Sequence, residues 1–293
     1  METFNEELKP IFNKNAYDDR HKKLKNSKGE IFYYKRESNW FFELVCEKIA
    51  ELLGIKAVCH IFYKYNSMPG LISMDFHKKG YNYIDGEELI KNYFSKHPDA
   101  YIPYLEIDDA NNLQVLWWAI EDRYRHYPNK SEIVEKLMRQ FMELYEFSII
   151  TAQGDLHLSN YQIEESKTDA SLAPLYDNSQ SFLNYPISVL SVDEMDSRVS
   201  AYDSLRRYFE FVPIEVVQSF FEKVSILDLA TLSSIMDNII KEVPVSEKEK
   251  EELDFEKKEA LKIFLRHKSK LLKICNEYLN KENHIGGNYG TIK

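Results

Sequence analysis

Apolar positions in the first quarter of the chain fall into short, dense runs. Residues 29–35 (GEIFYYK), 57–65 (AVCHIFYKY) and 70–76 (GLISMDF) are aromatic and β-branched, the composition of half-buried strands. Asn66-Ser67-Met68-Pro69-Gly70 joins the last two runs, and Pro-Gly between apolar runs predicts a hairpin turn there. Between the first and second runs the period lengthens. Phe41, Leu44, Val45, Ile49, Leu52 and Leu53 recur on one helical face, with Ser38 the predicted N-cap and Gly54 the terminator. From about residue 85 the pattern turns mostly helical. Ile133, Val134, Leu137, Met138, Phe141, Met142 and Tyr145 predict an amphipathic helix over 131–150, capped by Ser131. Ser246-Glu247-Lys248-Glu249 has the capping-box pattern and predicts a second strong helix over 246–280, followed by a glycine-rich, mobile tail at 284–293. The predicted class is α+β: a small β-rich lobe over 1–76 and a larger helical lobe over 77–293.

With 44% hydrophobic and 29% charged residues among 293, the chain can bury a proper core. Its net charge of -10 argues against a protein built chiefly to grip a nucleic-acid backbone, which relies on clustered cations. No apolar stretch reaches membrane-spanning length, and METFNEELKP lacks the apolar core of a secretory signal. The three cysteines, Cys46, Cys59 and Cys275, are widely spaced and odd in number, so neither a disulfide framework nor a structural zinc site is expected. The expected setting is the cytoplasm, without membrane or nucleic-acid partners.

One window concentrates chemistry: Gly154-Asp155-Leu156-His157-Leu158-Ser159-Asn160, then Leu172-Ala173-Pro174-Leu175-Tyr176-Asp177. Tyr161-Gln162-Ile163 reads as a strand and Glu164 to Ser171 as a polar return. Asn160 and Asp177 are thereby expected on neighbouring strands, close enough to share a hard cation such as Mg²⁺. Asp155 would stand at the loop tip, free to accept a proton or orient a hydroxyl. Phosphoryl transfer needs such parts, because the protein supplies position and charge rather than covalent chemistry. An Asp, a His and an Asn in one loop are also common turn residues, so spacing alone does not assign them.

GDLHLSN followed by LAPLYD resembles the HipA-like kinase family, whose catalytic loop reads Asp-Arg-His-x-x-Asn and whose metal-binding segment reads Ala-Pro-Leu-Tyr-Asp. Asp155, His157 and Asn160 fall in the family's register, Leu156 replaces the Arg, and residues 173–177 match in full. The Gly-Asp-Leu-His part is also similar to aminoglycoside and choline phosphotransferases, which more often carry Ile-Asp-Phe or Ile-Asp-Trp downstream. The resemblance implies a bilobal protein-kinase-like fold, ATP and Mg²⁺ as cofactors, and a protein Ser/Thr hydroxyl as acceptor. It makes Asp155 the catalytic base, with His157 in the same catalytic loop, and Asn160 and Asp177 the metal ligands. Upstream it implies Lys35 on the α/β-phosphates and Glu43 as its helical partner, with Glu47 an alternative on the same helix. Met74 and Phe76 then belong to a hinge that meets adenine. Arg36, beside Lys35, alternates to the opposite strand face.

Two features depart from the family pattern. Residues 20–30 (RHKKLKNSKGE), where a glycine-rich phosphate loop is expected, contain only Gly29, and the cations there read as a solvated run, with phosphate contacts the alternative. Ser27 is the candidate phosphate-loop serine. About 30 residues precede the kinase-like part, fewer than the family's N-terminal subdomain requires. The resemblance also implies a toxin–antitoxin-like context, in which a small antitoxin or companion protein would supply the missing part. The alternatives are a small-molecule phosphotransferase and a nucleotide-binding pseudokinase that serves as a docking module.

Overall fold

The structure is a computed structural model that describes residues 7–11, 21–36, 39–100, 113–154, 156–182, 205–206, 209 and 212–286. The α+β class holds. In chain order the elements begin β1 (Lys9–Pro10), β2 (His21–Lys25), β3 (Ile31–Lys35), α1 (Trp40–Leu53), β4 (His60–Tyr65) and β5 (Met68–Met74). They continue with β6 (Asn82–Asp85), α2 (Gly86–Lys96), α3 (Leu113–Tyr124), α4 (Lys130–Ile150), β7 (Gln162–Glu165) and β8 (Ala170–Leu172). The described elements end with α5 (Ile214–Ile226), α6 (Leu229–Glu242) and α7 (Glu247–Gly286). Two compact units form. One comprises residues 1–79, 174–181 and 229–261; the other comprises 80–173, 182–228 and 262–293.

In the first unit the described strands make an antiparallel sheet in the order β1-β2-β3-β5-β4. Leu24, Phe32, Tyr34 and Ile72 alternate onto one face and form a core with Leu8, against which Ile61, Tyr63 and Tyr65 pack. The other face carries Lys35, Leu71 and Phe62 in one cross-strand row, and Tyr33, Ser73 and His60 in the next. Helix α1 covers part of this second face, with Trp40 and Phe62 rings 4.6 Å apart. It ends as its sequence predicts. Gly54 adopts φ 72°, its N–H donates to Glu51 O at 3.1 Å, and Ile55 N–H donates to Ala50 O at 2.8 Å, a Schellman closure. The predicted cap Ser38 lies outside the described residues.

The hairpin between the second and third apolar runs forms, but its turn is elsewhere. Tyr65 pairs with Met68, so Asn66 (φ 49°) and Ser67 (φ 65°) make a two-residue turn with both residues left-handed. Pro69 and Gly70 belong to β5 instead. A Cβ on Gly70 would sit closer than van der Waals contact to the Lys35 carbonyl oxygen and the Tyr34 ring, so the absence of a side chain lets β5 press against β3 there.

In the second unit β6, β7 and β8 form a three-stranded sheet, and α4 supplies a buried stripe from Ile133 to Ile150. This helix begins at Lys130 after Asn129, so the predicted cap Ser131 lies within its first turn. Helix α7 opens with the predicted capping box: Ser246 N–H donates to Glu249 Oε2 at 2.7 Å and Glu249 N–H donates to Ser246 Oγ at 3.3 Å. It runs to Gly286, into the stretch expected to be mobile; residues 287–293 lie outside the described residues. Among the described residues no helix is long and apolar enough to cross a membrane.

Candidate active site

Lys35 ends β3, and its register with Leu71 of β5 and His21 of β2 fixes the strand end from both sides. Its Nζ donates to Asp177 Oδ1, an ion pair between side chains 25% and 40% exposed. Asp177 holds φ 62°, a left-handed conformation that Asp tolerates better than most residues and that recurs at functional positions. The segment carrying it is anchored two residues earlier. Leu175 N–H donates to Lys56 O at 2.8 Å, and Val58 N–H donates to Leu175 O at 2.8 Å. Asp177 is therefore on an anchored irregular segment rather than a strand. Asn160 closes a 3₁₀ turn, Leu158–Asn160, just before β7. The expectation of two neighbouring strands thus gives way to two irregular segments flanking a hairpin, because Ser166–Asp169 already closes β7 onto β8.

Glu43 is 2% exposed in the first turn of α1, and neither carboxylate oxygen has a hydrogen bond of ordinary geometry. Burial pushes its carboxyl up. His60, Lys35 and the Asn178 backbone amide pull it back, and Asp177 adds to the upward push. Lys35, Glu43 and Asp177 thus share one electrostatic environment, while Lys35 makes its contact with Asp177. Glu47, one turn on, is engaged differently: its Oε2 accepts the His60 backbone N–H at 2.8 Å and lies 3.5 Å from His60 Nδ1. That makes Glu47 a clamp on β4. The 20–30 stretch forms β2 and a tight turn into β3. Asn26 Oδ1 accepts the Lys28 and Glu30 N–H groups at 3.0 and 2.9 Å, and Gly29 takes φ 84°. Ser27 is exposed in this turn. The turn sits at the Ile31 end of β3, roughly 13 Å along the strand from Lys35.

Met74 ends β5 and is 56% exposed. Phe76 stacks on His77 (ring centroids 4.5 Å apart) and on Tyr176 (5.9 Å), joining the hinge candidate to the residue before Asp177. Asp75 between them accepts from His77 N–H at 3.0 Å and from the Tyr33 hydroxyl at 3.2 Å. Spacing gave no warning of His60 or Tyr33; cross-strand register reveals both.

In the second unit, His157 and Asn160 lock one another. His157 N–H donates to Asn160 Oδ1 at 2.8 Å, Asn160 N–H donates to His157 O at 2.9 Å, and His157 Nδ1 accepts Ser159 N–H at 3.2 Å. Asn160 is 4% exposed. Asp155 lies outside the described residues. Among the described residues no cluster of three or more His, Cys, Asp or Glu has metal-site geometry.

By sequence, no family profile and no curated protein matches the chain. By structure, it is similar to the Helicobacter pylori proinflammatory kinase CtkA, with a TM-score of 0.67 at 17% identity over 95% of this chain and 97% of that one. The chain has a kinase fold. The HipA-like resemblance drawn from GDLHLSN and LAPLYD agrees with this at the level of fold. A looser likeness is to HipA in the Shewanella oneidensis MR-1 HipA–HipB–operator DNA complex, with a TM-score of 0.48 at 13% identity, covering 90% of this chain and 65% of that one.

Proposed function

We propose that this protein is a HipA-like kinase that transfers phosphate from ATP, with Mg²⁺, to a Ser or Thr hydroxyl on a protein. The observation that carries the reading is the Lys35–Asp177 ion pair in one electrostatic environment with the buried Glu43, in a chain with a kinase fold and the LAPLYD motif. Asp177 already accepts a cation in Lys35, which fits a carboxylate suited to a metal ion. The Asn160 side chain supplies an amide oxygen, a donor type that suits the same role. Magnesium, when bound, supplies charge neutralisation at the transferring phosphoryl group.

This chain's residues do the remaining work. Lys35 binds the α/β-phosphates, and Glu43 orients the ammonium once Asp177 releases it. His157 holds the Asn160 side chain by its backbone N–H. Asp155 accepts the proton from the acceptor hydroxyl, and Met74 and Phe76 flank the base. A companion protein of the antitoxin type and a cytoplasmic setting belong to the same reading.

Transfer from labelled ATP in the presence of Mg²⁺, read on the protein itself and on lysate proteins, tests it. Asp155→Asn and Asp177→Asn should each lower transfer at least about 100-fold. Wild-type rates in both variants would overturn the assignment. Label found only in small molecules would replace the protein acceptor with a small one.

A further inference from the structure

We propose that His60 is a positioning residue for phosphoryl transfer: held on β4 by Glu47, its imidazole is the resting partner of the Glu43 carboxylate until Lys35 takes its place. The inference rests on the kinase reading above, and it adds a residue outside both sequence motifs and outside the Lys35–Glu43 pair.

Trp40, Glu43 and Glu47 stand at i, i+3 and i+7 of α1, so they share one face of the helix. That face meets β4 at two points. Trp40 packs on Phe62 with ring centroids 4.6 Å apart, and Glu47 Oε2 accepts the His60 backbone N–H at 2.8 Å. Phe62 and His60 are two residues apart on β4, hence on the same sheet face and about 6.6 Å apart along the strand. Glu43 leaves the helix between these two contacts, and its carboxylate is buried. Phe62 shares its cross-strand row with Lys35, while His60 belongs to the next row. Glu43 thus stands over the boundary between the lysine row and the histidine row.

Two carboxylates one helical turn apart repel each other unless a cation comes between them. Lys48 approaches Glu47 Oε1 at 3.9 Å, but it is half exposed and donates to Glu51 at 2.9 Å. Lys35 is turned to Asp177. His60 meets the pair from the buried side. Its side chain is 11% exposed, and its Nδ1 is buried 3.5 Å from Glu47 Oε2, a charge contact rather than a hydrogen bond. Burial pushes the Glu43 carboxyl up, and the His60 charge is the foremost pull in the opposite direction, ahead of Lys35. His60 therefore favours the charged Glu43 that Lys35 needs on leaving Asp177, and little reorganisation is left for the transfer itself.

The tie between β4 and α1 does not depend on the ring. It is made by the His60 backbone N–H, which every substitution except proline retains. Side-chain variants therefore separate positioning from folding. Initial rates of label transfer from ATP with Mg²⁺ to the full chain and to lysate proteins, for wild type, His60→Gln, Glu43→Gln and the double variant, test the role. His60→Gln should lower the maximal rate roughly tenfold, the size of a direct pair coupling, and shift the half-saturating ATP concentration less than about twofold, because the loss falls on the transition state. Its urea midpoint should match wild type. The double variant should be no slower than Glu43→Gln alone, since His60 acts through that carboxylate. His60→Asn gives the same comparison with a smaller side chain if Gln crowds the site. The role is overturned if both His60 variants transfer at the wild-type rate. It is equally overturned if the two losses multiply in the double variant, or if the urea midpoint falls in step with the rate, since His60 would then only brace the fold. A wild-type chain that transfers no phosphate would instead overturn the kinase reading on which the role rests.

Discussion

Two buried glutamates, one in each compact unit, are treated in opposite ways. Glu165 of β7 is 6% exposed and fully engaged: Arg123 Nε and Nη2 donate to its two oxygens at 2.8 and 2.5 Å, and the Tyr124 hydroxyl donates at 3.0 Å. Burial and then the Glu165 charge push the Tyr124 phenol far up, so it stays a donor. Glu43 of α1 is buried still deeper, yet no donor reaches it with ordinary geometry. An unpaired buried polar group is expensive, and the Arg123 and Tyr124 donors spare Glu165 that cost. On the function proposed above, Glu43 is the partner that Lys35 takes once it leaves Asp177. The Glu165 cluster holds a fold together, whereas the Glu43 cluster, on that proposal, leaves a contact to be made.

The largest expected effect belongs to the satisfied side. Arg123→Met leaves Glu165 buried without its bidentate partner and should cost about 3–5 kcal/mol of stability. Urea denaturation would measure it, and adding Glu165→Leu should restore most of the loss. A single variant within about 1 kcal/mol of wild type would mean that the network contributes little.

Glu43→Gln should behave in the reverse sense. It keeps the shape, removes a buried charge, and should leave stability unchanged or raised while lowering phosphoryl transfer about 10- to 100-fold. Lost stability with unaltered transfer would make Glu43 a structural residue and break the contrast.

Glu146 of α4 offers a third, smaller test. It is completely buried with both oxygens unpartnered, and burial, followed by the Glu143 charge, drives its carboxyl well up against the pull of Lys223. A raised folded-state value means that its contribution is fully present below about 4.5, its ordinary value, and is lost as pH rises through the folded value. Resistance of wild type to thermal unfolding should therefore decline as pH rises above about 4.5. Glu146→Gln should flatten that decline and raise the midpoint at pH 8 by a few degrees, an effect on the order of 1 kcal/mol. Identical slopes in the two proteins would show that Glu146 does not set the pH response.

Local chemistry in the sequence carried the parts of the fold that depend on near neighbours. The Gly54 closure of α1 and the Ser246–Glu249 box of α7 both follow from residues within one turn of each other. Misplacements occur where two local signals compete. Pro69-Gly70 looks like a turn, but Asn66-Ser67 reaches the left-handed pair of conformations first, which frees the glycine for strand packing. Strand β2, HKKLK, has a single apolar residue, so alternation could not reveal it; pairing with β3 creates it. The same limit applies to the site. Lys35 and Asp177 are separated by 142 positions yet form an ion pair, and only the motif resemblance linked them in advance. The burial of Glu43 is a property of packing and has no signature in the order of residues.

Gly70 finally illustrates how a residue can matter to chemistry with no functional group of its own. Its missing side chain sets how closely β5 approaches the backbone that carries Lys35. In a library of every single substitution selected for phosphoryl transfer, position 70 should therefore score as intolerant as the lysine itself. A reader of that map without coordinates would infer a ligand contact at Gly70 where there is only clearance.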